Sequence, residues 1–124
     1  MPPQDTPEQP SAAWTVEFYS DRHGRSPARE FLRSLNERER AEALRLIRLL
    51  REQGIKLGMP YARPIRSMWE LRPGPNRFFY VAVQGRRFVV LHGYRKQSQA
   101  APQREIETAR RRWADLLDRE RGTP

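Results

Sequence analysis

Apolar and polar residues begin to alternate at Trp14: Trp14, Val16 and Phe18 interleave with Thr15, Glu17 and Tyr19, the two-residue period of a half-buried strand. Residues 1–13 hold four of the eleven prolines and almost nothing apolar, so they are expected to form a disordered, proline-rich tail that cannot offset the entropy of ordering. Asp21 to Arg25, with Gly24, breaks the strand. Ser26-Pro27 then reads as a helix start in the order cap, proline, with Glu30 in the positive first turn and Phe31, Leu32 and Leu35 available for burial. A second helix is expected from Asn36, where the Asn-x-x-Glu spacing to Glu39 matches a capping box, to a stop at Gly54. Its buried stripe is Ala43, Leu46, Ile47 and Leu50, which leaves Arg38, Arg45 and Arg48 on a solvated face.

After a loop from Lys56 to Pro60, three strands are expected over Ala62 to Arg72, Arg77 to Val83 and Arg86 to Arg95. Pro73-Gly74-Pro75-Asn76 and Gln84-Gly85 separate them, the pattern of an antiparallel meander. Pro102 suits the first turn of a last helix in which Ile106, Ala109, Trp113, Leu116 and Leu117 recur at helical spacing, with residues 119–124 expected to fray. The order strand, two helices, three strands, helix describes one α+β domain over residues 14–118, with about four antiparallel strands covered by helices. No internal repeat is present in the sequence.

Composition narrows the partners. Lys plus Arg total 24 against 15 Asp plus Glu, a net charge of +9, and arginine carries nearly all the excess. Such a surface favours a polyanion, and guanidinium grips phosphate in bidentate fashion. An arginine-biased proteome would inflate the same count without functional meaning. The absence of cysteine removes thiolate chemistry, and two histidines are too few for a histidine metal cluster, so no metal or cofactor is expected. With no signal-peptide pattern and no apolar run approaching the ~18 residues that span a bilayer, a cytoplasmic location is expected.

A two-residue turn at Gln84-Gly85 would set Val83 opposite Arg86, Phe79 opposite Val90 and Arg77 opposite His92, while a four-residue loop at Pro73–Asn76 would set Arg72 opposite Arg77. Arg72, Arg77, His92, Tyr94 and Lys96 then share one face, with Phe79, Val81, Phe88 and Val90 further along it. Trp69, Leu71, Phe78, Tyr80, Val89 and Leu91 fall on the other. Cations set across a sheet repel unless an anion lies between them, so the cluster suggests a bound phosphate. Two arginines can hold its nonbridging oxygens and stabilise the charge that grows as a 2′-hydroxyl attacks phosphorus. His92 or Lys96 could move protons, and Tyr94, with Arg95, could contact RNA. The alternative is structural: Arg72 paired with Glu70 or a C-terminal carboxylate, and His92 a satisfied, partly buried histidine.

The run Met68-Trp69-Glu70-Leu71-Arg72, then Arg77-Phe78-Phe79-Tyr80, then Leu91-His92-Gly93-Tyr94-Arg95-Lys96, followed by Pro102 and Glu105-Ile106, resembles the HigB-like, phage-related branch of the RelE/ParE toxin superfamily. The resemblance covers about Trp14 to Leu117. It implies a RelE-like fold, and a toxin of a type II toxin–antitoxin system that cleaves messenger RNA on the ribosome without a metal. It also implies neutralisation by a helix-turn-helix antitoxin, whose complex, and not the toxin alone, binds operator DNA. The basic residues that RNA-cleaving members carry at strand ends map onto Arg72, Arg77 and Lys96. Two departures stand out: lysines that precede the first arginine in RelE are Met68 and Glu70 here, and no tyrosine follows early in the last helix. The other readings are a ParE-like inhibitor that binds DNA gyrase without bond cleavage, and a basic nucleic-acid-binding protein of phage origin.

Overall fold

A computed structural model describes residues 13–99 and 102–122, so the expected tail over residues 1–13 lies almost wholly outside the described residues. In chain order the elements are β1 (Thr15–Phe18), α1 (Pro27–Ser34), α2 (Glu37–Gln53), a short 3₁₀ turn (Gly54–Lys56), β2 (Ala62–Ile65), β3 (Met68–Leu71), β4 (Asn76–Val83), β5 (Arg87–Arg95) and α3 (Gln103–Gly122). They build an α+β domain around one five-stranded sheet of order β1-β5-β4-β3-β2. β1 runs parallel to β5 and the other pairs are antiparallel.

Five strands replace the expected four or so, because the stretch Ala62 to Arg72 folds back on itself. Ile65 pairs with Met68 across a tight turn in which Arg66 takes a left-handed φ of 56°. Pro64, which lacks an N–H for a second ladder, thereby sits on the edge strand, where proline is tolerated.

The sheet is buried on both faces. Against one face α1 and α2 pack Leu32, Leu35, Ala43, Leu46 and Leu50 onto Leu71, Phe78, Tyr80, Phe88 and Val90. Against the other, α3 sets Ile106 and Ala109 on Met68, Phe79, Val81, Val89 and Leu91. The stripe expected on α2 is the buried one, whereas Leu117 of α3 is 41% exposed and does not join the core. α3 itself continues to Gly122.

Helix starts depart in detail from the expected capping. Pro27 occupies the first turn of α1, but Ser26 caps no N–H; its hydroxyl donates to the Tyr19 carbonyl at 2.7 Å. Asn36 does cap α2, accepting from the Glu39 N–H at 2.8 Å. The other half of the box is diverted: the Glu39 carboxylate accepts from Asn76 at 3.1 Å and Arg95 at 2.9 Å.

The β4–β5 hairpin overturns the expected register. Val83 pairs with Arg87, so the turn has three residues, Gln84 to Arg86, with Gly85 and Arg86 both at positive φ. Phe88 and Val90 therefore face α1 and α2, and Val89 and Leu91 face α3, the reverse of the assignment made from a two-residue turn. A bulge between Phe79 and Tyr80 then shifts the pairing again: Tyr80 pairs with Val90, but Phe79 with His92 and Arg77 with Tyr94. The extra residue, Leu91, lies on the same side as His92, which returns His92 and Tyr94 to the face of Phe79 and Arg77.

Candidate functional site

Strand pairing lays the candidate residues out in two rows on the α3 face. One row is Arg63, Glu70, Phe79 and His92, each opposite the next across β2, β3, β4 and β5. In the neighbouring row Arg77 stands opposite Tyr94, and continuing the β3–β4 register brings Arg72, one residue past β3, opposite Arg77. Aromatic rings floor the array: His92 and Tyr94 stack at 5.8 Å between centroids, and Phe79 lies 5.5 Å from Tyr94.

Glu70 is 2% exposed, and its Oε1 accepts from both Arg63 Nε at 2.8 Å and Arg72 Nη1 at 3.0 Å. The pairing of Arg72 with Glu70 is thus one half of the structural alternative raised by the sequence; Arg63 was not foreseen. Only the split of the Ala62 to Arg72 stretch brings Arg63 beside Glu70.

Arg77 is 9% exposed and donates Nη1 to the carbonyls of Gly74 at 2.7 Å and Asn76 at 2.8 Å. Among the described residues its buried Nε has no partner, and neither has the buried Tyr94 hydroxyl. Burial, and then the charge of Arg72, lower the Arg77 pKa, while burial and then the Glu70 carboxylate push Tyr94 up to about 12. Tyr94 is accordingly a protonated hydrogen-bond donor at neutral pH.

His92 is held at both ring nitrogens. Nδ1 lies 3.0 Å from Arg112 Nη1 and Nε2 lies 2.6 Å from Glu105 Oε1. A guanidinium can only donate, so Nδ1 is the acceptor and the proton sits on Nε2, directed at Glu105. Burial, the largest influence, lowers the His92 pKa from 6.5, Glu105 raises it and Arg112 lowers it. Arg112 also donates to the Leu91 carbonyl at 2.9 Å, so one side chain of α3 grips the bulge and the imidazole together. The locked imidazole is the other half of the structural alternative. Neither Glu105 nor Arg112 was singled out as its partner from the sequence, since only the docking of α3 brings them there.

Lys96 follows β5 and donates its backbone N–H to the Pro75 carbonyl at 2.9 Å. It lines a cleft of about 480 Å³ with Tyr94, Gln97, Gln103, Arg104 and Glu105. Arg95 also lines this cleft, but its guanidinium pairs with Glu39 of α2 at 2.9 Å and does not join the array. Among the described residues no cluster of three or more His, Asp and Glu could hold a metal ion, and no helix is long and apolar enough to cross a membrane.

Residues 30–114 match the family described as phage-derived Gp49-like protein (DUF891), a span that includes every candidate residue. The chain belongs to the Gp49-like family. A chain from the crystal structure of the RelBE2 toxin–antitoxin complex of Mycobacterium tuberculosis is similar in fold to this Gp49-like protein. The two superpose with a TM-score of 0.52 at 20% identity, covering 68% of this chain and 100% of that one. No curated protein matches the sequence. Within the Gp49-like domain, guanidiniums placed as those of Arg72 and Arg77 have the chemistry for charge-assisted hydrogen bonds to an anion, and the adjacent cleft lies in the size range of a small-ligand pocket.

Proposed function

We propose that this Gp49-like protein is the toxin of a type II toxin–antitoxin pair, of the HigB-like kind, and that it cleaves messenger RNA on the ribosome. One observation carries the reading: Arg77 is buried opposite Tyr94, its Nε and the Tyr94 hydroxyl have no partner among the described residues, and the continued β3–β4 register sets Arg72 across from it. Buried donors left unmade cost roughly 1–3 kcal/mol each, a cost that a phosphate oxygen removes once the side chains above them shift to admit it. In the proposed reaction the ribose 2′-oxygen bonds to the adjacent phosphorus and the bond to the 5′-oxygen breaks, giving a 2′,3′-cyclic phosphate and a 5′-hydroxyl. Arg72 and Arg77 neutralise the charge that accumulates on the nonbridging oxygens, and Tyr94 donates a hydrogen bond to them. With His92 committed at both nitrogens, Lys96 at the cleft is the group that protonates the leaving 5′-oxygen, while the 2′-hydroxyl proton passes to solvent. A site with so few acid–base groups works by positioning, which is the role assigned to the ribosome.

The proposal extends to a cytoplasmic location and to a helix-turn-helix antitoxin through whose complex operator DNA is bound. The fold likeness to a chain of a toxin–antitoxin complex supports the toxin part of the reading. A second reading, inhibition of DNA gyrase by binding alone, draws on the ion-paired Arg72 and the locked His92, which leave little free acid–base chemistry. Mapping transcript 5′ ends after brief induction of wild type and Arg77→Ala, alongside growth curves, separates the two. New ends inside translated codons that vanish in the variant are expected; growth arrest without new ends sinks the ribonuclease reading in favour of gyrase.

A further inference from the structure

We propose that Arg63 is a third phosphate-binding cation of this site, contacting a second phosphate of single-stranded RNA, and that Glu70 is the residue that positions it. The proposal rests on the array being the RNA-binding face. Three arginines on or beside three neighbouring strands line that face, and they grade from deep to shallow: Arg77 is 9% exposed, the Arg72 side chain 22% and the Arg63 side chain 44%. Among the described residues Arg63 donates to Glu70 through Nε, which leaves the donors of its two terminal nitrogens for a ligand. β2 and β4 are two strands apart, roughly 10 Å, which makes Arg63 and Arg77 the ends of a track and not two grips on one phosphate.

A buried carboxylate in a phosphate site would ordinarily repel the ligand. Here its Oε1 is clamped by two guanidiniums, so Arg63, Glu70 and Arg72 together keep one positive charge, and Arg77 adds a second. The carboxylate orients both flexible side chains before RNA arrives, which lowers the entropy lost on binding. β2 ends the sheet on this side, so Arg63 stands where a strand of RNA would leave the array toward solvent.

The sign of one charge change separates positioning from simple attraction. Glu70→Ala adds one positive charge, so a purely electrostatic face would bind RNA more tightly, whereas a positioned face binds it more weakly. The test is fluorescence anisotropy of the full-length protein with a ten-nucleotide 2′-O-methyl RNA, which cannot be cleaved, across a salt series. Arg63→Ala is expected to weaken binding by about three- to tenfold and to flatten the plot of log K against log salt by about 0.7, the share of one phosphate on a single strand. Glu70→Ala is expected to weaken binding, Glu70→Gln to recover part of the loss, and Arg48→Ala, an exposed α2 arginine outside the array, to match wild type. Arg63 is exposed enough for its alanine variant to fold, which a thermal melt checks. Wild-type affinity in Arg63→Ala, or equal or tighter binding in Glu70→Ala, overturns the proposal. Transcript mapping judges the reaction separately: cleavage by wild type and equally by Arg63→Ala refutes only the role of Arg63, whereas no cleavage by wild type refutes the ribonuclease reading and leaves the titration to decide the phosphate contact.

Discussion

His92 is the residue whose chemistry changes most between sequence and structure. As a free imidazole it would be an obvious proton carrier; wedged between Arg112 and Glu105 it is neutral, with one tautomer. Burial lowers its pKa from 6.5, so between that folded value and 6.5 the unfolded chain holds a proton that the folded chain does not. This contribution to stability is therefore complete above about pH 6.5 and is lost as pH falls toward the folded value. The carboxylates with lowered pKa, among them Glu39 and Asp115, lose their contributions only at more acidic pH. Thermal melts should show wild type losing more of its Tm than His92→Gln between pH 7.5 and 5.5; parallel losses would mean the imidazole is not held as described. Tyr94 makes a second residue-scale prediction. Its buried hydroxyl lacks a partner, so Tyr94→Phe should leave stability unchanged or raise it by about 1 kcal/mol while weakening RNA binding. A Tm drop of many degrees would show that the hydroxyl has a partner after all.

At the scale of elements, the helices were the most legible because their signals are local. Ala43, Leu46, Ile47 and Leu50 recur on one side of α2 and are buried, and Gly54 stops the helix at a left-handed φ of 64°. Gly54 has a tertiary role as well: a Cβ there would lie 2.5 Å from the Trp14 indole, which stacks on Phe88. The hairpins were less legible, because turn length and bulges depend on what the strands must cover. Gly93 shows why. In the bulged part of β5 it faces α1, where a Cβ would meet Phe31 at 2.7 Å and Phe78 at 2.8 Å, atoms of packed rings with little room to shift. Gly93→Ala should therefore cost about 1–3 kcal/mol and disturb the adjacent His92 and Tyr94. Denaturant unfolding measures the cost, and a value near zero would show that α1 can move off the sheet.

For the whole molecule, the decisive arrangement is a sheet with two cores, one under α1 and α2 and the other under α3. α3 shields Phe79, Val81, Val89 and Leu91. Exposing four such side chains would forfeit roughly 6–12 kcal/mol at about 1.5–3 each, comparable to the whole stability of a small domain. A chain ending at residue 99 should accordingly lose its cooperative melt and bind hydrophobic dyes; a sharp transition would assign α3 a smaller part. The same helix supplies Glu105 and Arg112 to His92, so the site and the second core are closed by one element. Local pattern determined the helices, the extended character of the strand segments though not the split of residues 62–72 into two strands, the basic character of the chain and the common face of Arg72, Arg77, His92 and Tyr94, because periodicity, capping and charge are written into neighbouring residues. That common face survived a wrong turn length only because a bulge restored the alternation before His92. Tertiary structure alone decided the parallel pairing of β1, the partnership of Arg63 with Glu70, the diversion of Glu39 and Arg95 to the opposite face, and the locked state of His92. Each joins residues from separate elements, and their meeting depends on how helices and strands dock, which no local spacing records.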